Sequence, residues 1–97
     1  MYRIVLACSG VPAAEGPTAA ADVTKDFAQH RQWHRNVECK WDGGRLFLIA
    51  ENDFDSNGMA LMDEFSDCLA AYIFGEFDGD ITVESVTQLE DDETSTG

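Results

Sequence analysis

Two segments of the chain are apolar at nearly every position, and they constrain the fold more than any other feature. Met1–Cys8 and Leu46–Ala50 carry apolar side chains with little alternation. A strand of this kind is buried on both faces, so each segment is predicted to lie inside a sheet. Val37–Trp41 and Ile81–Val86 instead alternate apolar with polar residues, as strands with one buried face do. The first and third strands are therefore predicted to be central, and the second and fourth to be edges.

Two helical patterns separate these strands. The first is predicted to begin after Thr18, which can act as the N-cap, and to end near Trp33. Its apolar stripe recurs at steps of three and four, at Ala20, Val23, Phe27 and His30. The second helix is predicted from Met59 to Phe74, with Gly75 as its C-terminal cap. Its stripe consists of Leu61, Phe65, Cys68, Leu69 and Tyr72.

The order of elements predicts one α+β domain. Asp42-Gly43-Gly44 is predicted to form a hairpin turn, since glycine readily adopts the positive φ angles that such turns require. A βαββαβ chain is typical of a ferredoxin-like sandwich, with an antiparallel sheet in the order 4-1-3-2 and two helices on one face. Residues 1–89 are predicted to form this domain. Residues 90–97 contain no apolar side chain and are predicted to be a disordered acidic tail.

The charge of the chain excludes several classes of partner. There are 19 acidic and 6 basic residues, which give a formal net charge of -13. Nucleic-acid backbones and anionic membranes are recognised by clustered Lys and Arg, so neither is an expected partner. Three explanations for the acidity remain: solvation in high salt, attraction of a basic partner, or binding of a cation.

The cysteines indicate a cytoplasmic protein with buried thiols. Cys8, Cys39 and Cys68 are odd in number, widely spaced and without a CxxC pair, and each lies in an apolar stretch. Val5–Cys8 is similar to a lipoprotein cleavage box, but the segment before Cys8 is too short for a signal peptide. No segment approaches the roughly 18 apolar residues of a membrane helix.

One loop matches the sequence motif of a metal-binding site. Asp53, Asp55, Asn57, Gly58 and Glu64 match D-x-[DN]-x-[DN]-G-x5-E, and these twelve residues resemble the calcium loop of an EF-hand. The resemblance implies calcium ligation by Asp53, Asp55, Asn57 and Glu64, with Gly58 allowing the sharp turn. The segment before the loop is predicted to be a strand, whereas an EF-hand has a helix there. The alternative is a polar loop that caps the second helix.

Catalytic patterns are weak in this chain. The loop Ser9–Thr18 has no basic residue, unlike the phosphate-binding loop of acylphosphatases, which share this size and strand order. His30 and His34 have a spacing that suits zinc, with Cys39 or Glu38 as a further ligand. The competing interpretation places His30 on the buried stripe and His34 at the helix end. We therefore interpret the domain as non-enzymatic, with catalysis by His34 or Cys8 as a weaker hypothesis.

The second helix carries the predicted partner-binding residues. Asp63, Glu64 and Asp67 lie on a helix without Lys or Arg, and two of them are like charges four residues apart. Such pairs cost roughly 0.2 to 0.5 kcal/mol, which a nearby cation would relieve. We expect a small acidic binding domain that engages a basic protein, with an inhibitory or regulatory role. Calcium binding through Asp53–Glu64 is the alternative.

A homodimer is a further expectation. An exposed sheet face carrying Val5, Phe47 or Ile49 is predicted to be a protein interface or dimer surface.

Overall fold

A computed structural model describes residues 1–72 and 79–89 of the 97-residue chain. The elements are β1 (Tyr2–Cys8), α1 (Gly16–His30), β2 (Arg35–Asp42), β3 (Arg45–Asn52), α2 (Met59–Tyr72) and β4 (Ile81–Gln88). The strands form one antiparallel sheet in the order β2-β3-β1-β4. Read from the other edge this is the predicted order 4-1-3-2, which confirms the ferredoxin-like α+β fold.

The central position of β1 and β3 explains their continuous apolar sequence. β1 pairs along its whole length with β3 on one side and with β4 on the other, so that Ile4 lies opposite both Ala50 and Val86. Alternate residues of the two central strands point toward the helices and are fully buried. They are Ile4, Leu6, Cys8, Leu46, Leu48 and Ala50.

The helices cover that side of the sheet and complete the core. α1 contributes Ala19, Val23 and Phe27, each at most 1% exposed, and α2 contributes residues that are similarly enclosed. Those residues are Leu61, Phe65, Cys68 and Leu69. The predicted stripe of α1 is wrong at its last position, because His30 is exposed at the end of the helix.

The start of α1 also differs from the sequence-based expectation. The helix begins at Gly16, and Thr18 lies inside it instead of capping it. Pro17 occupies the first turn, where the missing N–H of proline removes no helical hydrogen bond. A Cβ atom at Gly16 would lie 2.3 Å from the ring of Trp41. Close packing of β2 against the helix start therefore requires glycine here.

The predicted hairpin turn between β2 and β3 contains two glycines with positive φ angles. Gly43 and Gly44 have φ values of 62° and 86°. This conformation is unfavourable for residues that carry a Cβ atom. The predicted turn is thus confirmed, and it brings Asp42 opposite Arg45.

The second side of the sheet is not covered by the described helices, and we call it the open face. Val5, Phe47 and Ile49 lie at its centre and are partly exposed. Two pairs of opposite charge cross it, Arg3 with Glu51 at 3.0 Å and Arg45 with Glu84 at 2.9 Å.

Some predicted features fall outside the described residues. These are the end of the second helix near Phe74, its proposed cap at Gly75 and the acidic tail 90–97. Within residues 1–72 and 79–89, no helix has the length and apolar character required to cross a membrane.

Candidate functional site

The three predicted partner-binding residues of α2 separate into two environments. Asp63 and Asp67 are exposed on the outer surface of the helix. The Glu64 side chain is only 21% exposed and turns toward the segment after α1, where His34 contacts it. Asp63 and Asp67 therefore belong to a surface charge pattern, whereas Glu64 is part of a packed polar network.

His34 is the centre of that network. Its side chain is fully buried, and Nε2 makes a short hydrogen bond with Glu64 Oε2. Nδ1 lies 3.2 Å from Asn52 Nδ2. The Trp33 indole donates a hydrogen bond from Nε1 to Glu64 Oε1 at 3.1 Å. Each oxygen of the Glu64 carboxylate thus accepts one hydrogen bond from the segment that follows α1.

Backbone amides determine which form of His34 this network contains. Asn52 Oδ1 accepts hydrogen bonds from the N–H groups of Asp55 at 2.8 Å and Phe54 at 3.2 Å. Because an N–H can only donate, the oxygen and nitrogen of the Asn52 amide are unambiguous, and Nδ2 faces His34. Nδ1 of His34 must then accept, so its proton is on Nε2. In this tautomer the imidazole is neutral, and Nε2 donates to the Glu64 carboxylate.

Aromatic rings surround the imidazole on three sides. Phe27, Trp33 and Phe54 have ring centroids 5.6, 5.9 and 6.0 Å from that of His34. Phe27 is fully buried, but Trp33 and Phe54 are each 52% exposed. The partly exposed Glu64 carboxylate is therefore bonded to a histidine whose ring lies beside two half-exposed aromatic rings.

A second polar network, formed by Arg31, Asp26 and Cys68, lies next to the network around His34. Arg31 Nε is 3.4 Å from Asp26 Oδ2, and Cys68 donates from Sγ to the same oxygen at 3.1 Å. The guanidinium also lies over the Phe27 ring, 5.4 Å from its centroid. Burial alone would lower the pKa of Arg31, but contact with Cys68 and the Asp26 and Glu64 carboxylates raise it. This cation is therefore already held by the domain's own groups.

The predicted calcium residues have described contacts within the protein. Asp55 is buried and accepts hydrogen bonds from Ala60 N and Leu61 N at 3.3 and 2.9 Å, in the first turn of α2. Asn57 Oδ1 accepts from Met59 N at 3.0 Å. These are the contacts expected of the alternative interpretation, a loop that caps a helix.

The remaining positions of the motif are Gly58, Asp53 and Glu64. Gly58 has a φ of 81°, which favours glycine, and a Cβ atom there would lie 3.2 Å from Ile4 and Val83, so backbone conformation and packing explain the glycine. Asp53 is exposed, and Glu64 is bonded to Trp33 and His34. Among the described residues, no three His, Cys, Asp or Glu side chains are arranged to hold a metal ion. Calcium binding stays a prediction from the motif.

The two histidines exchange the environments that the competing interpretation assigned to them. His30 is exposed at the end of α1, and His34 is buried beyond it. Both ring nitrogens of His34 are occupied by Glu64 and Asn52, and Cys39 is buried in the core. The structure does not bring His30, His34, Glu38 and Cys39 together as a described metal group.

The three cysteines are free and buried, as expected. Burial and the Asp80 carboxylate raise the pKa of Cys8 to about 12. Burial raises the pKa of Cys39 to about 12, and burial with the hydrogen bond to Asp26 raises that of Cys68 to about 11. The thiolate is the nucleophilic form, so these thiols are poor nucleophiles at neutral pH.

Sequence reasoning missed Trp33, Asn52 and Phe54 as members of a site. The signal available was local: two adjacent rings at 33 and 34, and a polar residue ending an apolar strand. Nothing in the sequence joins them to Glu64, which lies 30 residues beyond His34.

No family model, no curated protein and no solved structure matches this chain.

Proposed function

We propose that the protein is a non-enzymatic binding domain that presents an acidic surface to a basic protein partner, as an inhibitor or regulator. The surface is the helical face, defined here as the outward side of α2 with Asp63 and Asp67. The observation that carries the proposal is the difference in charge pairing between this face and the open face. On the open face basic side chains pair with Glu38, Glu51 and Glu84, whereas α2 contains no Lys or Arg.

The distribution of basic residues supports this proposal. Of the six Lys and Arg residues, four lie on strands, namely Arg3, Arg35, Lys40 and Arg45. Asp63 and Asp67 take part in none of the ion pairs found among the described residues. Surface charges of one sign steer an oppositely charged partner and raise the rate of encounter.

Charge reversal tests this proposal. The variant Asp63→Lys with Asp67→Lys changes the net charge by 2 × 2, from -13 to -9. Glu38→Lys with Asp42→Lys is the matched control, since it makes the same change at two exposed residues of β2. Immobilised wild type and control should retain the same basic proteins from cell extract, and the α2 variant should lose them. Equal retention by all three proteins would overturn the proposal.

A homodimer through the open face is a second candidate. Val5, Phe47 and Ile49 are partly exposed there, and charges of both signs surround them. Two copies can therefore approach through this face with complementary charges, which the helical face does not offer. Sedimentation velocity in high salt should detect a dimer for wild type and for Ala21→Glu on α1, and a monomer for Phe47→Glu. A monomeric wild type would exclude this interface.

Two further proposals rest on other features. Three free buried thiols suit the reducing conditions of the cytoplasm, where we place the protein. Calcium binding remains a proposal supported by the motif, and a calcium ion would compete with Trp33 and His34 for Glu64.

A further inference from the structure

The Glu64 side chain is only 21% exposed and accepts its described hydrogen bonds from Trp33 and His34. His34 accepts from Asn52 at Nδ1 and donates from Nε2 in the observed network, so it contributes a hydrogen bond and no positive charge. No Lys or Arg forms an ion pair with Glu64 among the described residues. The Glu64 carboxylate contributes to raising the pKa of Arg31, but the ion pair of Arg31 is with Asp26, at 3.4 Å between Nε and Oδ2.

Two other carboxylates in this molecule, those of Glu84 and Asp26, each pair with an arginine that also lies over an aromatic ring. Arg45 lies 2.9 Å from Glu84 and 4.9 Å from the centroid of the Phe47 ring. Arg31 is placed in the same way between Asp26 and the Phe27 ring. In both places a guanidinium fills the space between a carboxylate and an aromatic face, which its flat shape suits.

Glu64 has an aromatic neighbour but no ion pair with an arginine among the described residues. Trp33, which donates to Glu64, is about half exposed, and so is Phe54, whose ring centroid lies 6.0 Å from that of His34. Each carboxylate oxygen accepts one described hydrogen bond, and a carboxylate has about four acceptor positions in total. Acceptor capacity is therefore left for a donor that approaches from solvent.

We propose that Glu64, together with the half-exposed Trp33 and Phe54 rings beside its partner His34, is the anchoring site for an arginine side chain of a basic partner. This inference rests on the proposed function, and it names the group of the partner that binds. The guanidinium donates to the Glu64 carboxylate and stacks against an exposed ring. Lysine fits less well, because a compact ammonium neither stacks as a plane nor donates two parallel hydrogen bonds.

The probe for this site is the peptide acetyl-Gly-Arg-Gly-amide, with acetyl-Gly-Lys-Gly-amide as its matched control. In ¹⁵N-labelled protein the indole N–H signal of Trp33 reports on the site, and that of Trp41 serves as the internal reference. We expect a saturable shift of the Trp33 signal with the arginine peptide and weaker binding of the lysine peptide. No shift of Trp33 with the arginine peptide overturns the inference, as does equal affinity for both peptides.

Three variants separate the anchor from general charge attraction. Glu64→Gln should weaken binding by about tenfold or more, since it removes hydrogen bonds to a charged acceptor. Phe54→Ala should weaken it roughly two- to fivefold through loss of the ring. Glu38→Gln makes the same change as Glu64→Gln at an exposed residue of β2, outside the helical face, and should have little effect. An equal loss in Glu64→Gln and Glu38→Gln would show unspecific attraction and overturn the inference. The urea midpoint and amide spectrum of Glu64→Gln verify that it is folded.

The anchor and the proposed function can fail separately. If charge reversal at Asp63 and Asp67 abolishes retention of basic proteins but Trp33 does not respond to the arginine peptide, the helical face binds and the anchor is wrong. If Trp33 responds but retention is unchanged by that reversal, the anchor stands and the binding function of the helical face is wrong.

Discussion

The open face and the helical face both carry carboxylates, but only the open face also carries basic side chains that pair with them. On the open face, Arg3 and Arg45 lie beside Glu51 and Glu84, and Lys40 lies 4.0 Å from Glu38. On the helical face, Asp63 and Asp67 lie four residues apart with the same sign. The net charge of -13 is therefore not a uniform property of the surface.

Element geometry explains how this difference is possible. Cross-strand neighbours bring residues distant in sequence together, so opposite charges from three strands can pair across the sheet. On a helix, neighbouring side chains are three and four residues apart. The charged residues of α2 are all acidic, so they cannot pair with one another. A strongly acidic chain can therefore keep carboxylates of one face paired with basic side chains and leave those of another face available to a cation.

The core between the sheet and the helices contains the three thiols, and they should cause the largest change in the free energy of unfolding, at alkaline pH. The folded-state pKa values of Cys8, Cys39 and Cys68 are about 12, 12 and 11, against an ordinary 9.0. Because these values are raised, the folded state keeps protons that the unfolded state releases above pH 9. The free energy of unfolding should fall by about 1.4 kcal/mol per pH unit per thiol up to the folded pKa.

Urea denaturation measured between pH 8 and pH 10.5 checks this response. Cys39→Ala removes one of the three titrating thiols, so the alkaline loss of stability should be about one third smaller than in wild type. An identical pH dependence in both proteins would contradict the raised thiol pKa values.

Interrupting the polar network of Glu64, His34 and Asn52 should lower the free energy of unfolding substantially. Asn52→Ala leaves the N–H groups of Phe54 and Asp55 without their acceptor, and it removes the donor to His34. Buried unsatisfied groups cost about 1 to 3 kcal/mol each, so we expect a loss of about 3 kcal/mol by urea denaturation. Asn57→Ala in the same loop removes one exposed acceptor and should cost about 1 kcal/mol. Equal losses would mean that the network is not a structural element.

The ion pairs of the open face should contribute little to stability. Arg45 and Glu84 have side chains that are 50% and 39% exposed. Glu84→Gln should therefore lower the free energy of unfolding by less than about 1 kcal/mol, and by less still in high salt. A loss as large as that of Asn52→Ala would remove the distinction between a buried network and surface pairs.

The smallest expected effect on stability concerns the calcium motif. Asp53 is exposed, so Asp53→Ala should leave the urea midpoint within about 0.5 kcal/mol of wild type. After removal of bound metal by chelator, the motif predicts saturable amide shifts across Asp53–Glu64 with calcium, weaker ones with magnesium and none in Asp53→Ala. The absence of shifts in wild type at millimolar calcium would leave this loop as a helix cap alone.

The fold was predictable because its signals are local and periodic. Continuous apolar runs marked β1 and β3, alternation marked β2 and β4, and paired glycines marked the hairpin. Helix boundaries were less predictable. Thr18 has a good capping side chain, but the helix begins earlier, at Gly16, where Trp41 of a distant strand packs against it.

The candidate site could be predicted only in part. Sequence spacing drew attention to Glu64, first as a calcium ligand and as part of an acidic helix. Its contacts with Trp33 and His34 depend on how α2 packs beside the end of α1. His30 and His34 are equivalent in sequence terms, since each fits a helix or its end, and only packing decides which one is buried.

The sequence by itself determined the α+β class, the strand order and the acidity, because hydrophobic period and residue type act over a few neighbouring positions. Tertiary structure decided which charges are paired and which remain available. It also decided that Asn52 donates to His34, and that Glu64 accepts from Trp33 and His34. The physical reason is that these contacts join residues 18 to 31 positions apart, and their geometry exists only once the two helices lie against the sheet.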